Sequence, residues 1–165
     1  MSDNPKTTLT DGSPVTDDHR EIDPATGMQK GYVVLSDEER AKGFVRPLRQ
    51  TYRHVGKRVC GQRREIEAVE MLPGKIAHVC CKPLEHDGPC TVFQQVSASE
   101  LARIERYGCL DGCGGTTTMH QALAETYARK PDFYSGTYCA HCRDHFPVGA
   151  EGEFVWYGTE EKVGT

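Results

Sequence analysis

Closely spaced cysteine pairs are the feature that most constrains how this chain can fold. Cys109-Leu-Asp-Gly-Cys113 and Cys139-Ala-His-Cys142 lie at the two ends of a segment that is predicted to be largely helical. A tetrahedral metal ion needs four donors at about 2.0 to 2.3 Å, and two pairs on tight turns can supply them if the intervening element brings the turns together. The spacing therefore predicts a structural metal site with Cys109, Cys113, Cys139 and Cys142 as its ligands.

The fourth ligand of this first site remains open at the level of sequence. His145 follows Cys142 by three residues, and His120 lies at the start of the helix predicted after Cys113. Either imidazole could take the place of Cys109, because zinc accepts nitrogen and sulfur donors alike. The site would stay four-coordinate, and therefore structural, in each case.

A second cluster of potential ligands lies in the middle of the chain. Cys80, His86 and Cys90 occupy a loop rich in proline and glycine, and Cys60 precedes them at the open end of a predicted hairpin. Short spacings on such a loop can wrap one ion, which Cys60 would complete. The chain is thus expected to hold two zinc ions in two closed sites, which together use seven of its 8 cysteines.

Composition explains why such cross-links are expected. The chain has 165 residues, 37% of them hydrophobic, with 17 glycines and a mean hydropathy of -0.59. Small units with so thin a core commonly depend on metals or disulfides. The start of the chain is polar and has no apolar signal core, so reduced thiols and metal ligation are favoured over disulfides. No run approaches the about 18 apolar residues of a membrane span, so no membrane partner is expected.

The remaining pattern predicts an α+β fold, a small zinc-stapled domain of short strands and two to three short helices. Residues 1–31 predict an extended arm without a core of its own. Residues 32–56 and 109–165 are predicted to form the main domain, and residues 57–108 an inserted zinc-binding β-hairpin followed by a helix. The hairpin is predicted to pair residues 65–71 with residues 75–79.

Helix signals are clear at three places. Ser36 and Ser97 are each followed by glutamate at the third helical position, which is the pattern of a capping box. Gly43 and Gly108 are the corresponding stop signals. A third helix is predicted from near Thr116 or Thr117 to about Lys130, where Pro131 ends it.

Positive charge is concentrated in residues 40–64, which contain nine Lys or Arg residues and no Asp or Glu. Such a stripe could bind a phosphate backbone, or it could pair with acidic groups of the same chain, which has a net charge of -4. If the basic residues share one exposed face, nucleic acid is favoured as the partner. If carboxylates of the same chain cover them, a protein partner is favoured. The candidate contact residues are Arg46, Arg49, Arg53, Lys57 and Arg58.

Three segments resemble a known family. Residues 31–47, 122–128 and 131–147, together with the ending Val163-Gly-Thr165, resemble uncharacterised small zinc-binding proteins of tailed bacteriophages and prophages. The likeness covers roughly the two outer thirds of the chain. It implies a viral protein located in the host bacterial cytoplasm or in the virion.

The middle of the chain resembles a different, short zinc-binding motif that is common in bacterial proteins. The similarity lies in Cys60-Gly61 and in the pattern Cys80-x-x-Pro-x-x-His86-x-Gly-x-Cys90. Histidine is usual at the last position of that motif, so Cys90 departs from it while remaining a competent ligand.

The function favoured by these patterns is a non-catalytic, zinc-stabilised interaction module. It would bind a host or phage protein, or nucleic acid through residues 40–64. One alternative is a virion-associated structural or decoration protein. A second is a metal-assisted nuclease built on His141, Asp144 and His145, although the sequence has no zinc-protease, phosphate-loop or serine-hydrolase motif.

Overall fold

The computed structural model describes residues 4–64 and 71–165. Within these ranges the chain forms short strands and three short helices, which confirms the predicted α+β class. In chain order the elements are β1 (Thr7–Leu9), β2 (Val33–Leu35), α1 (Asp37–Arg40), β3 (Thr51–His54), β4 (Gly56–Arg58), β5 (Arg63–Arg64), β6 (Ala77–Cys80), β7 (Phe93–Val96), α2 (Ala98–Tyr107), β8 (Cys109–Asp111), β9 (Thr116–Thr118), α3 (Gln121–Arg129), β10 (Gly136–Cys139), β11 (Asp144–Pro147) and β12 (Phe154–Trp156).

The strands pair in small antiparallel sheets. Three-stranded sheets have the orders β12-β3-β9 and β5-β6-β7, and the two-stranded pairs are β1-β2, β4-β8 and β10-β11. In the predicted hairpin, residues 65–70 of the first strand lie outside the described residues. The second strand is present as β6, which pairs with β7 as well as with β5.

The helix starts predicted at Ser36 and Ser97 are confirmed, and Gly108 caps the end of α2 as predicted, whereas α1 ends at Arg40, before the predicted stop at Gly43. Each serine side chain accepts a hydrogen bond from the backbone three residues on, and Ser97 and Glu100 form a complete capping box. The predicted start of the third helix is wrong, because Thr116–Thr118 forms β9 and α3 begins only at Gln121. Three consecutive β-branched residues suit a strand, and β3 offers them a pairing edge.

A β-bulge at Val55 and Gly56 separates β3 from β4. The N–H groups of Val55 and Gly56 both donate to the carbonyl oxygen of Glu153, at 2.9 and 3.1 Å. Gly56 has φ +93°, and a Cβ there would lie 2.1 Å from the carbonyl oxygen of Leu110. The partner strands β8 and β9 are interrupted opposite the bulge by residues 112–115, which loop over His54.

The buried apolar side chains form two main clusters. The first is largely aromatic, with Tyr52, Tyr127 and Trp156, and joins α3 to the sheet β12-β3-β9. The second is aliphatic and includes Val79 and Ile104, joining α2 to β6 and its neighbours. The two clusters have no residue in common. The domain boundaries given from the sequence stay a prediction.

The predicted amino-terminal arm lies on the body of its own chain. Strand β1 pairs with β2, and the Tyr138 hydroxyl donates to the carbonyl oxygen of Thr26. A Cβ on Gly27 would lie 2.0 Å from the carbonyl oxygen of Arg143, so the arm touches the hairpin β10-β11 directly. In the described part of the chain, no helix has the length and apolar character needed to cross a membrane.

The capping box gives a first test of the fold. Hydrogen bonding from the backbone of Ser97, and then the contact with Lys75, lower the pKa of Glu100 to about 2, so this carboxylate stays charged at neutral pH. We expect Glu100→Ala to lower the free energy of unfolding by about 1 kcal/mol in urea at pH 7. The control is Glu105→Ala, which replaces an exposed residue of the same helix and should change the free energy of unfolding little. Equal effects of the two changes would contradict the capping role.

Candidate metal centres

Four side chains from distant parts of the chain meet at a group that we call the His54 centre. It consists of His54, Cys113, Cys139 and Cys142, whose ligand atoms all lie within 4.8 Å of one another. His54 Nδ1 is 3.5 Å from Cys142 Sγ, and Cys113 Sγ is 3.5 Å from Cys139 Sγ. A tetrahedron with zinc-like bonds has edges of about 3.3 to 3.8 Å, so the donors have the spacing that one ion requires.

Strand geometry places three of these four ligands. His54 is the last residue of β3 and Cys139 the last residue of β10, both with buried side chains. Cys142 lies in the tight turn between β10 and β11, which is closed by a 2.8 Å hydrogen bond from Arg143 N to Cys139 O. The turn thus directs two thiols towards the imidazole at the end of β3.

Glycines bring the fourth ligand, Cys113, over His54. The loop carries Gly112, Gly114 and Gly115, and a Cβ on Gly112 would lie 2.2 Å from the carbonyl carbon of Val55. A Cβ on Gly115 would meet the His141 ring at 2.2 Å. Glycine is therefore required at position 112 by the close approach of the Val55 backbone and at position 115 by the ring of His141.

Glu153 holds the imidazole of His54 in one orientation. Its Oε1 lies 3.0 Å from His54 Nε2, and the two residues are only 6% and 2% exposed. A buried carboxylate in this position accepts the Nε2 proton and leaves Nδ1 free to bind a metal. The ring is also packed between Phe146 and Phe154, at centroid distances of 4.4 and 4.9 Å.

The prediction of Cys109 as a ligand is corrected by this geometry. Cys109 begins the extended strand β8, where each residue advances the chain by about 3.3 Å, so its thiol does not join the group that contains Cys113. Its side chain is instead fully buried beside Val55 and Val155. Lys162 Nζ lies 3.3 Å from its sulfur.

Neither predicted alternative to Cys109 belongs to the His54 centre. His145 Nε2 lies 2.9 Å from the hydroxyl of Tyr32, and burial lowers the pKa of this histidine. His120 caps α3, where its Nδ1 accepts a 3.1 Å hydrogen bond from Ala122 N. His54 was missed because it is distant in sequence, although the alternation of β3 places it on the buried face with Tyr52, where an imidazole needs partners.

The second group, the His86 centre, consists of the four residues that the sequence predicts. Cys60, Cys80, His86 and Cys90 have all their ligand atoms within 4.8 Å of one another. Cys60 Sγ is 3.8 Å from Cys90 Sγ, and His86 Nε2 is 3.6 Å from the sulfurs of both Cys80 and Cys90. These distances again match the edges of a tetrahedral site.

Backbone hydrogen bonds hold the His86 centre together. Gly61 N donates to Cys80 O at 3.0 Å, and Cys80 N donates to Gln62 O at 2.9 Å, which fixes the first two thiols. His86 and Cys90 lie on the loop that follows β6. The spare thiol of Cys81 is directed away, 3.7 Å from the carbonyl oxygen of Val92.

Crowding of the thiols has an electrostatic consequence. Partial desolvation, reinforced by the neighbouring thiols, raises the pKa of Cys142 to about 12 and that of Cys90 to about 11. Hydrogen bonding to the Gln62 backbone, and then to His86, lowers the pKa of Cys60 to about 7. Thiolates this close together repel one another, whereas a divalent ion would displace the thiol protons and stabilise the thiolates.

Donor chemistry supports metal binding at both groups. Each offers three thiols and one imidazole at distances suited to one ion. Such donors are typical of sites for zinc and other soft or borderline metals. The residues proposed for a nuclease, His141, Asp144 and His145, do not form a ligand group in the described part of the chain.

The predicted basic contact residues differ in their surroundings. Arg49 pairs with Glu161 and stacks over Trp156, and Arg58 pairs with Glu151 at 2.9 Å. Arg53 lies over the ring of Tyr157, and Lys57 is exposed. Arg46 donates to the carbonyl oxygens of Val45 and Thr165.

Comparison with protein-family models, with curated proteins and with solved structures gave no match for this chain. Function is therefore inferred from the two ligand groups and from the surface around them.

A pair of cysteine variants tests the identity of the first ligand set. We expect Cys142→Ser to lower the metal content by one ion per chain, because the group would keep only three strong donors. Cys109→Ser should leave the metal content unchanged, because this thiol lies in the core. Native mass spectrometry of reduced, metal-loaded protein measures both. A loss of one ion in Cys109→Ser, with none in Cys142→Ser, would refute the assignment.

The role of Glu153 can be tested separately. We expect Glu153→Gln to weaken metal affinity about 10- to 100-fold at one of the two sites, because the amide accepts the His54 proton less strongly. Competition with a chromophoric chelator gives the two affinities. Glu151→Gln is a matched control, since Glu151 is exposed and contacts Arg58 only at the surface. No difference between the two variants would exclude the orienting role.

Proposed function

We propose that this chain is a non-catalytic, zinc-stabilised interaction module whose partner is a protein. The observation that carries the proposal is that both ligand groups supply four protein donors each. A tetrahedral ion held by four side chains has no open position for a substrate or an activated water, so such sites are structural. The ions would fix the positions of the chain segments that present the binding surface.

Zinc is the metal that we assign to both groups. Three thiolates with one imidazole are a common structural zinc set, and zinc needs no redox partner and tolerates a tetrahedral shape. His54, Cys113, Cys139 and Cys142 would hold one ion, and Cys60, Cys80, His86 and Cys90 the other.

The ion pairs of the basic segment favour a protein partner over nucleic acid. Arg40 pairs with Asp37 and Glu125, and Lys42 with Glu39, in addition to the pairs made by Arg49 and Arg58. Phosphate binding depends on cations that are free to displace counterions. Internal pairing of these residues reduces the charge available for that purpose.

The loop between α1 and β3 is the surface that we assign to the partner. Phe44, Val45 and Leu48 are 46%, 57% and 45% exposed. Backbone N–H groups of Val45 and Arg46 donate to Ala128 O at 2.8 and 3.0 Å, so the loop is attached to α3. Exposed apolar residues that are clustered and held in place are typical of protein interaction sites.

The packing of the amino-terminal arm is relevant to the alternative that this chain is a structural component of the virion. An arm that joins neighbouring subunits would extend away from its own chain, whereas here β1 pairs with β2 and Tyr138 binds Thr26. This arrangement supports a self-contained module. The resemblance to phage and prophage proteins supports a host or phage protein as the partner and the bacterial cytoplasm as the site of action.

Affinity capture with matched surface variants tests the assigned surface. Tagged chain produced in bacteria, with and without phage infection, should retain a defined partner that Phe44→Ser with Leu48→Ser releases. The control is Ile76→Ser with Val92→Ser, which changes two other exposed apolar residues and should keep the partner. Both variants must retain two zinc ions. Partner retention by the first variant, or equal loss in both, would contradict the assigned surface.

Fluorescence anisotropy with random 30-mer DNA and RNA separates the two partner classes. We expect no salt-dependent binding at low ionic strength, because the carboxylates already occupy part of the basic segment. Binding that weakens with salt and is abolished by Arg49→Glu with Arg53→Glu would overturn the protein-partner proposal in favour of nucleic acid.

A further inference from the structure

The two outer strands of the sheet β5-β6-β7 differ in charge. Strand β5 consists of Arg63 and Arg64, which are both exposed, whereas β7 has the sequence Phe-Gln-Gln-Val, without a charge or a proline. Proteins commonly keep an edge strand unpaired by placing charged side chains or proline on it. The composition of β7 therefore leaves its outer edge open to pairing with another strand.

Hydrogen bonding to β6 shows which backbone groups of β7 face outward. The two strands are antiparallel, and Cys81 N donates to Val92 O at 3.2 Å. Because bonded and unbonded positions alternate, Gln94 is also directed at β6, while the N–H and C=O groups of Phe93 and Gln95 point away from it. In the described part of the chain β6 is the only strand paired with β7, and these outward groups make no backbone hydrogen bond.

Val92 adds an exposed apolar side chain to the same edge. It immediately precedes β7 and is 49% exposed. The alternation of side chains places it on the same face of the sheet as Gln94 and Val96, and this is the face that packs against α2. A strand added beside β7 would cover Val92.

We propose that β7 pairs with β7 of a second copy of this chain, in an antiparallel arrangement with two-fold symmetry. With Gln94 placed opposite Gln94 of the second copy, the outward groups of Phe93 meet those of Gln95, and each copy donates two backbone hydrogen bonds across the axis. The same register places Val92 opposite position 96 of the second copy, on the α2 side of the sheet. The two three-stranded sheets become one continuous sheet.

The chemistry of the edge favours a second copy as the occupant. Gln94 would face its own equivalent across the axis, so a charged residue there would be repelled, whereas two glutamines are not. Both copies carry the same open edge, and one two-fold contact closes both. The contact uses neither the zinc ligands nor the loop between α1 and β3, so it leaves the proposed partner surface free.

The size of the contact sets the expected affinity. A single pair of short strands buries less than the about 1,200 to 2,000 Å² of a stable interface. We therefore expect a reversible dimer with a Kd between about 1 µM and 1 mM.

Sedimentation velocity of the zinc-loaded full chain tests the contact. Over total concentrations from about 1 µM to about 1 mM, the unchanged chain should pass from monomer to dimer. Gln94→Lys should stay monomeric, because two lysines would face each other across the axis. The control is Gln121→Lys, the same change at an exposed position of α3, which should dimerise like the unchanged chain. An unchanged chain that is monomeric at every concentration, or equal dimerisation of Gln94→Lys, would overturn the proposal.

A charge-swap pair tests the register. Gln94→Glu alone should also be monomeric, but an equimolar mixture with Gln94→Lys should form a heterodimer, because opposite charges then face each other. A mixture that stays monomeric, although both variants keep the circular dichroism spectrum of the unchanged chain, would overturn this register.

Gln95→Pro tests the backbone pairing itself. Proline removes an outward N–H group and no hydrogen bond to β6, so the sheet is kept while dimerisation should weaken roughly tenfold or more. Dimerisation of Gln95→Pro at full strength would exclude pairing through this edge.

Discussion

The buried contact between His54 and Glu153 is the interaction on which the carboxyl-terminal part of the fold depends. A carboxylate taken out of water is costly unless it is paired, and here its partner is an imidazole that is itself enclosed by Phe146 and Phe154. The same carboxylate residue accepts both N–H groups of the bulge through its backbone oxygen. One residue of the chain thus fixes the ring, the bulge and the path of the strand that follows.

The two ligand groups are built in different ways. The His54 centre gathers residues from three separate regions, and the separation between His54 and Cys142 is 88 positions. The His86 centre is local, with 30 positions between Cys60 and Cys90, and backbone hydrogen bonds to neighbouring loops take the place of a buried carboxylate. The first therefore depends on the complete sheet β12-β3-β9, whereas the second is supported by a short hairpin and α2.

Local signals in the sequence were sufficient for some of this architecture. The box at Ser97 and Glu100 predicted α2, because the two residues are close in sequence. The loop spacing after Cys80 predicted three residues of the His86 centre, and the predicted hairpin supplied the fourth, Cys60. His54 could not be found from spacing, since its role arises from strand pairing across the bulge. Cys109 was assigned from proximity to Cys113, but the extended backbone of β8 separates two thiols that a turn would have joined. The omission of His54 and the assignment of Cys109 have the same cause. Both depend on strand pairing between residues that are far apart in sequence, which a short stretch of sequence does not reveal.

The docking of the arm on the hairpin β10-β11 has a consequence for the order of events during synthesis. The surface that receives the arm, at Tyr138 and Arg143, is synthesised more than a hundred positions after the arm itself. Before then β2 is already available to pair with β1, and the four residues of the His86 centre have already been made. The arm is thus among the last of the described segments to reach its final position, and during that interval it is accessible to proteases and to other chains.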